Sequence, residues 1–252
     1  MSTSPSMTET IFAVGRGSWL VGRSRFCDYP PEASAIPEVG GFADPSLERI
    51  LALRPTLVCG ERGPAGPELA SALERQGIAT YFPLLEKVAD IEAMIEELGK
   101  KLDAAAQGKS VADLVRSKID GVVRSVKDVP RVRVVFLFDW KPLVAAGPRS
   151  FPDEIVALAG GDNVVTSGGQ YPRLGVEGLL SLDPDVLLDG SADAYPDPPE
   201  VLVKQTPGLE ALRAAKTGRL HRLASTAALR PGPRIGDGVV EVARLLHPDA
   251  RP

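Results

Sequence analysis

Glu48-Arg-Ile-Leu-Ala-Leu-Arg-Pro55-Thr-Leu-Val58 and Glu177-Gly-Leu-Leu-Ser-Leu-Asp-Pro184-Asp-Val-Leu187 lie on one another without a gap. Each reads as about two turns of helix, a proline that ends it, and a short apolar run of the kind that forms a buried strand. Short helix–strand units look alike in many proteins. The sharper reading is two similarly built lobes, because a different kind of segment separates the copies. From Lys109 to Val126 there is no proline, and apolar residues recur three and four apart at Val111, Leu114, Val115, Ile119, Val122, Val123 and Val126. That spacing predicts one helix of ~27 Å at 1.5 Å per residue. Placed between two α/β halves it would act as a spine, and the cleft between the halves would be the ligand site.

The elements on either side support this organisation. Leu20–Phe26 reads as a short strand, Leu47–Leu53 as a helix, Thr56–Cys59 as a strand, Pro67–Gln76 as a helix stopped by Gly77, and Ile78–Phe82 as a strand. Val88–Leu102 has helical spacing. After Pro130 come a strand (Val132–Phe138), helices (Pro152–Ala159 and Val176–Leu182), a strand (Val186–Leu188), a helix (Pro207–Lys216), a strand (Leu220–Leu223) and a terminal helix (Gly236–Leu246). Helices alternating with short apolar strands imply parallel sheets covered on both faces. The expected division is an N-terminal lobe over 1–105, a linking helix over 106–128 and a C-terminal lobe over 129–252.

Composition limits the function. The chain has 252 residues, and a net charge of −4 gives no basic excess for nucleic acid. No apolar run approaches the ~20 residues of a membrane span. With two cysteines and two histidines there is no zinc-type spacing, and no metal site is predicted. The GxSxG elbow and the GxxxxGK[ST] phosphate loop are absent. Gly15-Arg16-Gly17 follows a helical stretch, which argues against a dinucleotide site. A poor inventory for catalysis suits a binding protein rather than an enzyme. In a 2-1-3 strand order, Cys27 and Cys59 would be separated by two strand spacings, roughly 9–10 Å, too far for a disulfide. Two free thiols are expected.

The thirteen aromatic residues are unevenly placed. Phe136 and Phe138 lie inside a strand and Phe12 reads as helix core. Phe26, Tyr29, Phe42, Phe82, Trp140, Phe151, Tyr171 and Tyr195 fall at strand C-terminal ends or in the loops beyond them. Ligands of open parallel sheets bind at those ends, where flat side chains would wall a large, flat or apolar ligand. Single loop aromatics also cap cores; it is the grouping that points to a ligand. Trp140 and Arg230 are taken as ligand contacts from this placement.

Several stretches resemble the cobalamin and ferric-siderophore binding proteins of ABC importers. They are Ser4–Gly15, Leu20–Ala33, Val39-Gly-Gly-Phe42 before Glu48–Pro55, Leu143–Gly147, Leu158-Ala-Gly-Gly-Asp-Asn163, Tyr171-Pro-Arg173, Pro184-Asp-Val186 and Leu229–Ile235. Within that family the chain is most similar to the vitamin B12 (corrinoid) branch. The resemblance implies two Rossmann-like lobes joined by one long helix, little hinge motion, a corrinoid as the transported ligand with no catalytic cofactor, and delivery to an ABC permease. It places Phe26, Phe42, Phe82 and Tyr171 as aromatic ligand contacts and Arg62 in the loop lining the same cleft. It also implies one permease-docking glutamate per lobe, matched here by Glu68 and Glu210. A monomer is expected.

Other readings stay open. A ferric siderophore would draw on Arg62, Arg149, Arg173 and Arg230. Haem needs an axial ligand; several haem binders carry Tyr in the loop where this sequence has Gly41-Phe42, while Tyr29 and Tyr171 remain available. A cytosolic α/β enzyme would use strand-end carboxylates at Asp28, Glu61 or Asp139. Met1–Thr10 has neither the basic nor the apolar region of a signal peptide. The expected location is periplasmic or exported, and cytoplasmic if Met1 is the true start.

Overall fold

The computed structural model describes residues 1–63 and 66–250. The chain divides into two compact units, one of residues 1–116 with 230–233, the other of residues 117–229 with 234–252. The helix expected as a spine runs from Ala105 to Ser125 (α5), 21 residues or about 31 Å. The change of unit falls within it. The return of residues 230–233 to the first unit was not legible in the sequence.

The first unit contains helices α1 (Pro5–Ala13), α2 (Leu47–Ala52), α3 (Gly66–Glu74) and α4 (Val88–Lys101), with strands β1 (Leu57–Cys59) and β2 (Ala79–Tyr81). β1 and β2 pair in parallel, Cys59 opposite Tyr81. Isolated parallel bridges extend the array: Ser2 pairs with Cys59 on one side and Arg23 on the other, and Arg23 pairs with Glu38. The row through Ser2 therefore lies between those of Arg23 and Cys59, the 2-1-3 order expected. Cys27 and Cys59 are free, buried thiols. Leu20–Phe26 is not a full strand. Only Arg23 pairs, because a turn begins at Ser24, whose carbonyl accepts from Cys27 N at 3.0 Å. Ile50, Val58, Leu69 and Leu73 form this unit's core with Met1 and Val39. α4 and the start of α5 pass close through Gly99 and Gly108, where a Cβ on Gly99 would lie 2.9 Å from the Gly108 Cα.

The second unit is built on β3 (Val132–Trp140), nine residues whose apolar middle, Val134–Leu137, is buried on both faces. β7 (Val186–Asp189) pairs with it in parallel, and β8 (Leu220–Arg222) pairs with β7. On the other edge, β3 pairs first in parallel with β5 (Gly161–Asn163) and then antiparallel with β4 (Leu143–Ala145), which carries β6 (Arg173–Leu174). The sheet is thus mixed rather than wholly parallel, since a hairpin turns β3 back on itself. Val135 and Leu137 pack on α7 (Val176–Leu182) and α8 (Pro199–Gln205) through Leu179, Leu202 and Val203. Around Gly161, Val134 meets Val156 of α6 (Phe151–Leu158) and Leu246 of α10 (Ile235–Leu246). The segment expected as one helix over Pro207–Lys216 is a 3-10 turn, Leu209–Ala211, and a short helix α9, Arg213–Lys216. Leu212 between them is extended and fully buried, so backbone helicity is given up to seat its side chain in the core.

The internal echo is structural. α2 leads to Pro55 and β1, and α7 leads to Pro184 and β7. In both copies the residue before the proline is left-handed, Arg54 at φ 46° and Asp183 at φ 38°. The left-handed residue ends the helix and the proline forbids its continuation.

On α5, the buried positions are Ala112, Val115, Ile119 and Val122, with Val126 just beyond the helix. That stripe is narrower than the sequence suggested, with Leu114 57% and Val123 39% exposed. Gly121 has no atom within 4 Å of where a Cβ would stand. Gly121→Ala is therefore expected to raise stability by about 1 kcal/mol through helix propensity alone. An unchanged or lower denaturation midpoint would contradict this.

Candidate functional site

Parallel strands end together, so the loops that follow them gather at one edge. In the first unit these are Ser4–Ser6 after the Ser2 row, Ser24–Asp28 after Arg23, Gly40–Phe42 after Glu38, Gly60–Gly63 after β1 and Phe82 after β2. The loop after β1 is the hub. A Cβ on Gly60 would stand 2.8 Å from a Phe82 ring atom, and one on Gly63 only 2.1 Å from the Phe42 ring. Both rings close down on backbone that only glycine leaves open. Two of the predicted aromatics thus bracket a loop holding the predicted Arg62. The Arg62 backbone N–H donates to the Pro83 carbonyl at 3.0 Å, while its side chain is exposed and has no acidic partner among the described residues.

Glu61 stands between those two glycines. Its carboxylate accepts a hydrogen bond from the Ser6 hydroxyl, which is 3.2 Å from that of Ser4. Burial pushes the Glu61 carboxyl above the ordinary carboxylate range; hydrogen bonds from Ser6 and Ser4 oppose this, Glu86 adds to it and Arg230 reduces it. In the sequence Glu61 stands out only as one of three strand-end acids. Its signal there is the position between two glycines at a strand end.

Arg230 reaches this edge from the 230–233 segment. Its guanidinium is fixed by Asp28 at 2.5 and 3.1 Å and by the buried Glu9 at 3.2 Å. Phe26, next to this pair, is 52% exposed, with the Arg25 guanidinium 5.6 Å from its ring centre. Arg25 is itself paired with Asp44. The first unit thus holds five predicted residues, Phe26, Phe42, Arg62, Phe82 and Arg230, in loops of a single edge.

In the second unit Tyr171 is 43% exposed and stands edge-on to Phe138 at 5.7 Å. Trp140 requires correction. β3 continues two residues further than expected because β4 pairs with it, Trp140 opposite Leu143. The indole is therefore core, 3% exposed, and donates to the fully buried Asp189 at 3.1 Å. Asp189 also accepts from Ser191 and Arg222, so this carboxylate is satisfied on several sides. Phe151 is likewise buried, and Tyr195 donates to Asp139 at 2.7 Å. A backbone hydrogen bond from Lys141 and the Tyr195 hydroxyl hold the Asp139 carboxyl below its usual range against the opposing effect of burial. Of the two glutamates expected to dock a partner, Glu68 is exposed in the first turn of α3. Glu210 is exposed as well, but its carboxylate accepts from Gly208 N at 3.0 Å within its own turn.

A family model described as periplasmic binding protein matches residues 1–227. The chain belongs to the periplasmic binding protein family. As a member, it is 28% identical over 244 residues to the vitamin B12-binding protein of Vibrio parahaemolyticus, covering 96% of this chain and 86% of that one. Among solved structures it is similar to the periplasmic heme-binding protein of Roseiflexus sp. RS-1 in apo form, with TM-score 0.88 and 26% identity over 99% of this chain and 98% of the other. It is also similar to the periplasmic vitamin B12-binding protein of Vibrio cholerae, with TM-score 0.84 and 25% identity over 97% and 94%. The α/β architecture with a long helix, expected from the sequence, is that of these binding proteins.

Two outcomes follow from the first unit's edge. Arg230→Ala removes the guanidinium from Glu9, whose side chain is only 2% exposed, and should cost roughly 3 kcal/mol in a denaturant titration. A loss under about 1 kcal/mol would mean that the pair contributes little. For Glu61, a folded-state pKa above the unfolded one means stability that is present at low pH and lost as pH rises through the folded value. The wild type should therefore lose melting temperature relative to Glu61→Gln as pH rises from the ordinary carboxylate range through the raised folded-state value. A gap that stays constant over that range would contradict the shift.

Proposed function

We propose that this periplasmic binding protein captures a corrinoid and delivers it to the permease of an ABC importer. The observation that carries the reading is the charge balance of the aromatic edge in the first unit. Phe42 and Phe82 offer flat apolar surface, yet Arg25 is taken by Asp44 and Arg230 by Asp28 and Glu9, with Glu61 at the centre. A corrinoid is large and flat with a rim of neutral amides, which such an edge accommodates. Haem brings two carboxylates, which would find Arg25 and Arg230 already neutralised and Arg62 alone at this edge without an acidic partner among the described residues. Similarity to vitamin B12-binding proteins over nearly the whole chain supports the same choice.

Phe26, Phe42, Arg62 and Phe82 from the first unit and Tyr171 from the second are the proposed ligand contacts. Arg230 is proposed to act by holding Asp28 and the Phe26 loop. Glu68 and Glu210 are the proposed permease contacts, Glu68 being the freer of the two. The protein is proposed to work as a monomer in the periplasm, without catalytic chemistry.

Titration calorimetry with cyanocobalamin should show saturable one-to-one binding. Phe42→Ala and Phe82→Ala should each weaken it about tenfold or more, as truncation of buried aromatic contacts does. No heat at about 100 μM ligand, a concentration that would reveal even weak binding, would overturn the reading. A strong Soret band with haem and none of the corrinoid response would replace it with the haem alternative.

A further inference from the structure

Glu61 lies in the loop after β1, outside the unit's apolar core. Its setting is nevertheless specific. The ring of Phe82 covers the glycine before it, and that of Phe42 covers the glycine two residues after it. A flat ligand resting on those rings brings its rim to the residue between them. The Glu61 carboxylate is seated on Ser6 with Ser4 behind it, and a carboxylate has about four acceptor positions, more than two hydroxyls can occupy.

The charged groups facing Glu61 are few. Glu86, from the segment after β2, adds negative potential, and Arg230 adds positive potential that Asp28 and Glu9 already offset. We propose that Glu61 determines the specificity of the ligand edge: its carboxyl accepts a hydrogen bond from a neutral amide and repels a carboxylate at the same position. The inference rests on the corrinoid reading and sharpens it, because it assigns the selectivity to one side chain. An acceptor that faces Glu86 and an Arg230 already offset by two acids rewards an N–H donor, whereas a ligand carboxylate there would be desolvated against like charge. Arg62, the neighbouring cation, is the obvious competitor for this role, since it would favour the carboxylate instead.

The test compares cyanocobalamin with its monocarboxylic derivative, in which one peripheral propionamide has been hydrolysed, by calorimetry at neutral pH. Wild-type protein should prefer the amide by about tenfold or more, the order of discrimination one hydrogen-bonded position supplies. Glu61→Gln, which keeps a partner for Ser6, and Glu61→Ser should both bind the two ligands within about threefold of each other. Both variants should retain cooperative melting, and Arg62→Ala should keep or enlarge the wild-type preference. Variants that retain the full preference, or a wild type that binds both ligands alike, would overturn the assignment while leaving the corrinoid reading in place. A wild type that takes neither ligand would overturn both.

Discussion

The backbone of Met1–Thr3 is hydrogen-bonded along both edges, and the geometry of the first unit depends on it. On one side Ser2 N donates to Gly22 O at 3.1 Å and Ser24 N donates to Ser2 O at 3.1 Å. On the other, Thr3 N donates to Cys59 O at 2.8 Å and Cys59 N to Met1 O at 3.1 Å. This short central row fixes where the rows of Arg23 and Cys59 stop, and hence where the loops beyond them begin. Pairing is brief, so little of the unit is regular strand. Buried side chains from α2, α3 and the strands, among them Ile50, Val58 and Leu73, hold the rows together from outside. Cys59, enclosed here, has its thiol pushed up to about 11 by burial, which keeps it chemically quiet.

Polar groups at the loop edges are arranged by a common economy. Arg230 answers two acids at once, and Asp189 in the second unit gathers an indole N–H, a serine and an arginine around one buried carboxylate. Pairs of this kind add modest net stability, because desolvation offsets most of the attraction. Their effect lies in fixing which side chains remain free. After the pairings are made, the first unit's edge presents, among the described residues, the rings of Phe26, Phe42 and Phe82, the Glu61 carboxyl and Arg62 without an acidic partner. That remainder, rather than the gross composition, decides what chemistry a ligand meets.

Much of the second unit's scaffold follows from its central strand. β3 is apolar on both faces and therefore must be covered on both, which places α7 and α8 on one side and α6 and α10 on the other. Its C-terminal extension through Trp140 depends on β4, and that hairpin converts an expected ligand contact into a core residue. The mixed edge is thus also what separates Tyr171, which stays half-exposed on Phe138, from Trp140, which does not.

The sequence by itself determined the elements with strong local causes. The helix–proline–strand unit was legible twice, because proline and a left-handed residue end a helix wherever they fall. The long helix was legible from its three-and-four spacing, and the aromatic character of the strand ends was countable. Only the tertiary structure decided the rest. The Trp140 position turns on pairing with a strand that follows it, and the break at Leu212 on the depth of a core pocket. The attachment of Arg230 to Glu9 and Asp28 joins residues more than two hundred positions apart. Glu61 was visible as an acid at a strand end, but its seat on Ser6 and its place between two covered glycines are products of packing. Local conformational preference is written along the chain, whereas pairing, burial and charge neutralisation depend on which distant groups arrive at the same place.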